Sequence, residues 1–172
     1  MRSEEEMTRE EYKDKLIQSG IAKGNKKKKE QTAVASKYPQ GYFKAKACKH
    51  CGAIFTPKAP SELYCSDACK DYAVTEAYLK RNYGITINQY LDMAEAQDFK
   101  CAVCHHNNFP MAEHHTGVLV VDHDHKTGQV RGLLCHNCNR ALGLLKDSTE
   151  YLENSISYLK RVTTIPKGST LK

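Results

Sequence analysis

Large apolar side chains are scarce in this sequence. It has no tryptophan, and leucine, isoleucine, valine and phenylalanine together make only 32 of its 172 residues. That share lies just under the roughly 20% below which a charged chain struggles to build a core. The shortage is uneven: residues 1–47 contain five of the 32, namely Leu16, Ile17, Ile21, Val34 and Phe43. No apolar run approaches the roughly 18 residues of a membrane span, and Met1–Glu6 is too acidic for the start of a signal peptide. These absences argue against a large-core enzyme, a membrane protein and a typical secreted protein. With so little to bury, the chain needs staples, and its eight cysteines are the candidates.

Charge is as lopsided as hydrophobicity. Residues 1–50 carry thirteen Lys/Arg against seven Asp/Glu, the whole of the net +6, while residues 51–172 carry thirteen of each. A basic arm on a neutral body suits a polyanion, and nucleic acid is the usual one. The plainer alternative is a solvated tail with no partner. The run Lys26, Lys27, Lys28, Lys29 is the expected phosphate-binding stretch of a mostly disordered arm over residues 1–40. A short helix fits around Arg9–Ile17, but nothing in the sequence obliges it to pack. Residues 41–78 read as a small compact unit, 79–162 as the second unit and 163–172 as a flexible tail.

Local signals in the second unit agree with one another. Thr86 and Gln89 form a capping box, and Ile87, Tyr90, Leu91 and Ala94 follow at i, i+3, i+4, i+7, which predicts a helix ending near Gln97. Val118–Val121 reads as a strand, Lys126–Gln129 as a turn and Val130–Leu134 as the returning strand. A helix is predicted from about Cys138 to Leu145. Another, capped by Asp147, presents Leu152, Ile156 and Leu159 to a core.

The cysteines fall into two quartets: Cys48, Cys51, Cys65 and Cys69, then Cys101, Cys104, Cys135 and Cys138. A Cys-x2-Cys knuckle offers two thiolates to one ion, so the pattern fits two structural Zn2+ sites. The rival is a disulfide framework, which a reducing compartment disfavours. Eight thiolates and two Zn2+ would lower the formal charge from +6 to about +2. His50 and His136 lie inside knuckles that are already complete and are read as bystanders.

The most informative stretch is Val121-Asp122-His123-Asp124-His125. Four ionisable residues at a strand end are poor core material, and a carboxylate beside an imidazole suits metal-assisted phosphodiester hydrolysis. A third structural metal site or a solvated turn is the plainer reading. Alternation along the strand puts Asp122 and Asp124 on one side, His123 and His125 on the other.

The string Tyr83-Gly84-Ile85-Thr86, Cys101-x2-Cys104, Asp122-His123-Asp124-His125, Gly128-x-Val130-Arg131-Gly132-Leu133-Leu134-Cys135-x2-Cys138-Asn139 and Leu142-Gly143 resembles the recombination endonuclease VII family. That family belongs to the HNH, or ββα-metal, nucleases, and the likeness covers about residues 80–160. It implies a small, zinc-stabilised α+β fold with a treble-clef-like β-hairpin and helix, plus a separate N-terminal zinc-knuckle module outside the likeness. By resemblance, Asp122 and Asn139 hold a catalytic Mg2+ or Mn2+, His123 is the general base, and His125 lies near the scissile phosphate. Mg2+ keeps several waters, so two protein oxygens suffice. Arg131 is a candidate DNA contact, with an exposed strand arginine as its plain alternative. The products implied are 5′-phosphate and 3′-hydroxyl ends, on branched or distorted DNA such as four-way junctions. A homodimer and a bacterial or phage-infected host cytoplasm are implied as well. A homing, nicking or restriction-type HNH enzyme acting on duplex DNA is the first alternative, and a non-catalytic zinc-dependent DNA-binding protein the second.

Overall fold

The computed structural model describes residues 7–19, 21, 38–39, 41–107 and 117–161. In chain order its elements are α1 (Arg9–Gln18), β1 (Lys46–Ala47), β2 (Ile54–Phe55), α2 (Asp67–Tyr83), α3 (Ile87–Ala96), β3 (Val120–His123), β4 (Val130–Leu134), α4 (His136–Leu144) and α5 (Thr149–Lys160). Lys26–Lys29 and the 163–172 tail lie outside the described residues.

Each helix starts where a side chain can satisfy the backbone donors of its first turn. α1 and α3 open on complete capping boxes, Thr8 with Glu11 and Thr86 with Gln89. α2 opens on Ser66 and stops at Gly84, whose φ of 70° is the left-handed turn that a Cβ would strain. The expected face of α3 is the buried one: Ile87, Tyr90, Leu91 and Ala94 all lie in the core.

The structure has two antiparallel ribbons. β1 pairs with β2 on either side of Cys48 and Cys51, and β3 pairs with β4 ahead of α4. The first strand of the second ribbon lies two residues later than Val118–Val121, because Val118 and Leu119 are buried ahead of it while pairing begins at Val120. Register runs Val120 to Leu134, Val121 to Leu133 and Asp122 to Gly132, then slips so that His123 faces Val130. Arg131 is the residue left over. Such a bulge re-aims a side chain at the end of a ribbon. Gln97 finishes the other edge of β4: its amide accepts from Leu133 N–H at 2.9 Å and donates to Leu133 C=O at 2.8 Å. A Cβ at Gly132 would stand 3.2 Å from that same amide oxygen, which favours glycine there.

The core gathers around this ribbon from the second half of α2, from α3 and from the ribbon itself, and includes Cys101 and Cys135 of the second quartet. It also takes in α1, for which the sequence offered no reason to pack. Tyr12 and Leu16 are buried, and the Tyr12 hydroxyl accepts from Leu119 N–H at 3.0 Å, while the Tyr90 hydroxyl donates to Leu119 C=O at 2.7 Å. Arg9 forks onto Asp92 and Glu95 of α3, both at 2.7 Å. The partners of Arg9 and Tyr12 lie more than seventy residues away in sequence. Residues 9–18 are therefore a packed part of the fold, unlike the free arm expected there. The expected boundary between residues 78 and 79 falls inside α2, whose first turn contains Cys69 and whose last turns bury Leu79.

α5 departs from expectation in the other direction. Ile156 and Leu159, expected in a core, are 52% and 79% exposed.

Candidate active site

The second quartet anchors the site. The Sγ atoms of Cys101, Cys104, Cys135 and Cys138 lie within 4.8 Å of one another, as do those of Cys48, Cys51, Cys65 and Cys69. Sulfur–sulfur separations of 3.5 Å (Cys51–Cys65), 3.6 Å (Cys65–Cys69) and 3.9 Å (Cys104–Cys135) bracket the spacing of roughly 3.8 Å that a tetrahedron of 2.3 Å zinc–sulfur bonds requires. All eight cysteines are free thiols. The donor sets fit zinc, and no described histidine is needed to complete either.

Backbone amides prepare one sulfur in each set for ionisation. Burial opposes the Cys48 thiolate, but N–H groups of Cys51, Cys65 and His50 outweigh it and bring the thiol down to about 6. Cys101 is brought down to about 7 in the same way, by N–H groups of Cys104, Cys135 and Val103 acting against burial. Burial and the neighbouring sulfurs instead push Cys138 up. Four close thiols cannot all ionise without a cation among them.

The cysteines also set the helix that follows. Cys135 is the N-cap of α4, and its Sγ accepts from Cys138 N–H at 3.4 Å. Asn139 comes next, half-buried in the first turn of α4.

On the ribbon, Asp122 is 7% exposed and is held by Arg131 in a fork, Nε at 2.7 Å and Nη2 at 3.0 Å from its two oxygens. This pair, led by the hydrogen bond to Asp122, pushes Arg131 far up. The rings of His123 and His125 lie 4.9 Å apart, on the shared side that alternation predicts. Tyr83, at the end of α2, meets His123 edge-on at 5.5 Å. Asp124 has a different task. Its carboxylate accepts from Thr127 and Lys126 N–H groups, both at 2.8 Å, and these lower its pKa while they fix the hairpin turn.

One residue of the site was misread from sequence. Asp147 resembled a helix cap, but Ser148 caps α5 through its hydroxyl, which accepts from Tyr151 N–H at 3.2 Å. Asp147 turns inward, 3.3 Å from Arg131 Nη2 and 3.8 Å from His125 Nε2. It reaches there through two consecutive left-handed residues, Lys146 (φ 56°) and Asp147 (φ 52°), a conformation that costs non-glycine residues roughly 1–2 kcal/mol each. Asp122, Arg131 and Asp147 line a cleft of about 310 Å³ that opens beside Thr149 and Leu152. The only sequence signal was an aspartate one residue too early for the cap.

Comparison with known proteins places the chain in a family. The profile described as recombination endonuclease VII matches residues 76–161. The Gene 59 protein of Mycobacterium phage D29 is 34% identical over 144 residues, covering 74% of this chain and 84% of the relative. The Gene 59 protein of Mycobacterium phage L5 is 34% identical over 142 residues, covering 73% and 84%. Among solved structures, the ββα-Me type II restriction endonuclease Hpy99I aligns with 74% of this chain and 71% of its own at 22% identity. Its TM-score of 0.31 is too low a likeness to bear on the reaction.

Proposed function

The chain belongs to the recombination endonuclease VII family, and from that premise we propose that it is a metal-dependent DNA endonuclease. One observation carries the reading. The quartet that ends at Cys138 joins the β3–β4 ribbon to α4, with Asp122, His123 and His125 at the ribbon's end and Asn139 directly after the last cysteine.

In this reading Asp122 and the side-chain oxygen of Asn139 hold Mg2+ or Mn2+. Both are hard oxygen donors, and Asp122 is shielded from bulk water, so the donor set fits such a cation. When bound, the cation supplies Lewis-acid stabilisation of charge on the phosphate and on the leaving 3′-oxygen. His123, braced between Tyr83 and His125, accepts the proton of the attacking water. His125 stands beside it, near the scissile phosphate. In-line attack leaves a 5′-phosphate and a 3′-hydroxyl.

We further propose branched or distorted DNA as the substrate. The test is a panel of synthetic four-way junction, mismatched duplex and linear duplex, with Mg2+ and with EDTA. Preferential junction cutting that EDTA stops is expected. Equal cutting of linear duplex would transfer the protein to the homing, nicking or restriction type. Binding without cutting would leave a zinc-dependent DNA-binding protein.

The lysine-rich arm contributes affinity rather than chemistry. Because α1 packs in the core, the fitting test replaces Lys26–Lys29 by glutamine and leaves the chain intact. The slope of log K for DNA against log salt should become shallower by about 3–4, with cleavage retained at low salt. An unchanged slope would make the arm a bystander.

Cutting both strands at a branch calls for two sites, and we propose that α5 joins two chains. Its exposed Ile156, Tyr158 and Leu159 have no cover among the described residues. Antiparallel self-pairing about Ser155 and Ile156 sets Leu152 against Leu159, so apolar meets apolar. Sedimentation should show a dimer that Ile156→Glu with Leu159→Glu converts to a folded monomer. A wild-type monomer at micromolar concentration would refute the assignment. The host-cell cytoplasm as the place of action fits the mycobacteriophage relatives.

A further inference from the structure

The Asp122 carboxylate is already engaged. Arg131 takes one lone pair from each of its oxygens, and the same guanidinium reaches Asp147 at 3.3 Å. A fork of this kind is the strongest geometry a carboxylate and a guanidinium can form, and Arg131 owes its position to the ribbon's bulge. Arg131 is the most open of the three to an incoming ligand: its side chain is 37% exposed, against 10% for Asp122 and 21% for Asp147. A partly exposed cation thus lies between two shielded carboxylates that line the cleft. We propose that Arg131 is a latch on the cation site: in the DNA-free protein it holds Asp122, and a backbone phosphate of bound DNA draws it away, so that divalent-cation affinity rises when DNA is bound.

The chemistry favours the exchange. Guanidinium forks match phosphate as well as carboxylate, so Arg131 loses little on changing partner. The move removes a positive charge from Asp122 as the cation arrives, and adds one where the phosphate sits. Asp147 is the positioning residue. It lies beyond Asp122 on the same guanidinium and keeps Arg131 over the cleft in both states. Coupling of this kind is reciprocal, so the cation must raise DNA affinity by the same factor by which DNA raises cation affinity. The inference rests on reading Asp122 as a cation ligand.

The experiment measures Mn2+ binding by the paramagnetic resonance of free Mn2+. It uses full-length protein loaded with zinc, carries His123→Ala so that DNA survives, and subtracts a DNA-only control. Wild-type Arg131 should give weak Mn2+ binding that a four-way junction strengthens on the order of tenfold. Arg131→Gln should bind Mn2+ tightly without DNA and gain little when DNA is added. Asp147→Asn should fall between, with a smaller gain on adding DNA. Asp122→Asn should lose this binding under every condition. If Asp122→Asn removes the binding but Arg131→Gln binds no more tightly than its parent, the latch is wrong and the ligand assignment stands. If Asp122→Asn binds as its parent does, the ligand assignment itself is wrong. Should Arg131→Gln fail to fold, Arg131→Lys keeps the charge but loses the fork, and must shift Mn2+ affinity in the same direction.

Discussion

His123→Ala is expected to lower DNA cleavage by a factor on the order of 10²–10⁴, the usual worth of a general base. DNA binding should survive, because affinity rests on phosphate contacts elsewhere. Asp122→Ala and Asn139→Ala should also lose activity, but through the cation, so raising Mn2+ should partly restore them and do nothing for His123→Ala. That contrast separates a proton acceptor from a metal ligand. His125→Ala tests the second imidazole, which lies 4.9 Å from the first. A His123→Ala protein that cuts at the wild-type rate would overturn the mechanism. Cutting by all of these variants alike would point to a contaminating nuclease.

The second large effect concerns zinc. Elemental analysis should return two zinc ions per chain, one for each quartet, and a clear value of one or zero would refute the pairing. Replacing Cys101 or Cys138 by serine should abolish cooperative folding. Structural zinc contributes on the order of 10 kcal/mol to such folds, as much as the whole stability of a typical domain. The core has few large side chains to compensate, and Cys101 and Cys135 are part of it. Cys48 lies outside that cluster. Cys48→Ser should therefore lose one zinc, fray the start of α2 and leave a cooperative thermal transition of the remainder, followed by circular dichroism. Loss of that transition would show that α2 makes the two units one.

What could be read without coordinates was local. Thr86 with Gln89 and the four-residue apolar face of α3 depend on contacts within two helical turns, and spacing alone specifies them. The two cysteine quartets are nearly as local, since each knuckle closes within three or four residues, and both close as the spacing implied. His123 and His125 lie together as alternation leads one to expect, although His125 stands in the turn past the end of β3.

Tertiary structure decided what depends on residues far apart in the chain. Arg9 and Tyr12 look like ordinary members of a polar tail until Asp92, Glu95 and Leu119 are brought to them. Arg131 read as a candidate DNA contact or an exposed strand arginine, and only the register slip after Asp122 turns it onto that carboxylate. Asp147 carried a local signal for a cap, but Ser148 serves that role and the left-handed backbone turns Asp147 inward. The stripe of Leu152, Ile156 and Leu159 shows the same limit from the other side. Periodicity reveals that a helix has an apolar face, but not whether this chain supplies the surface to cover it.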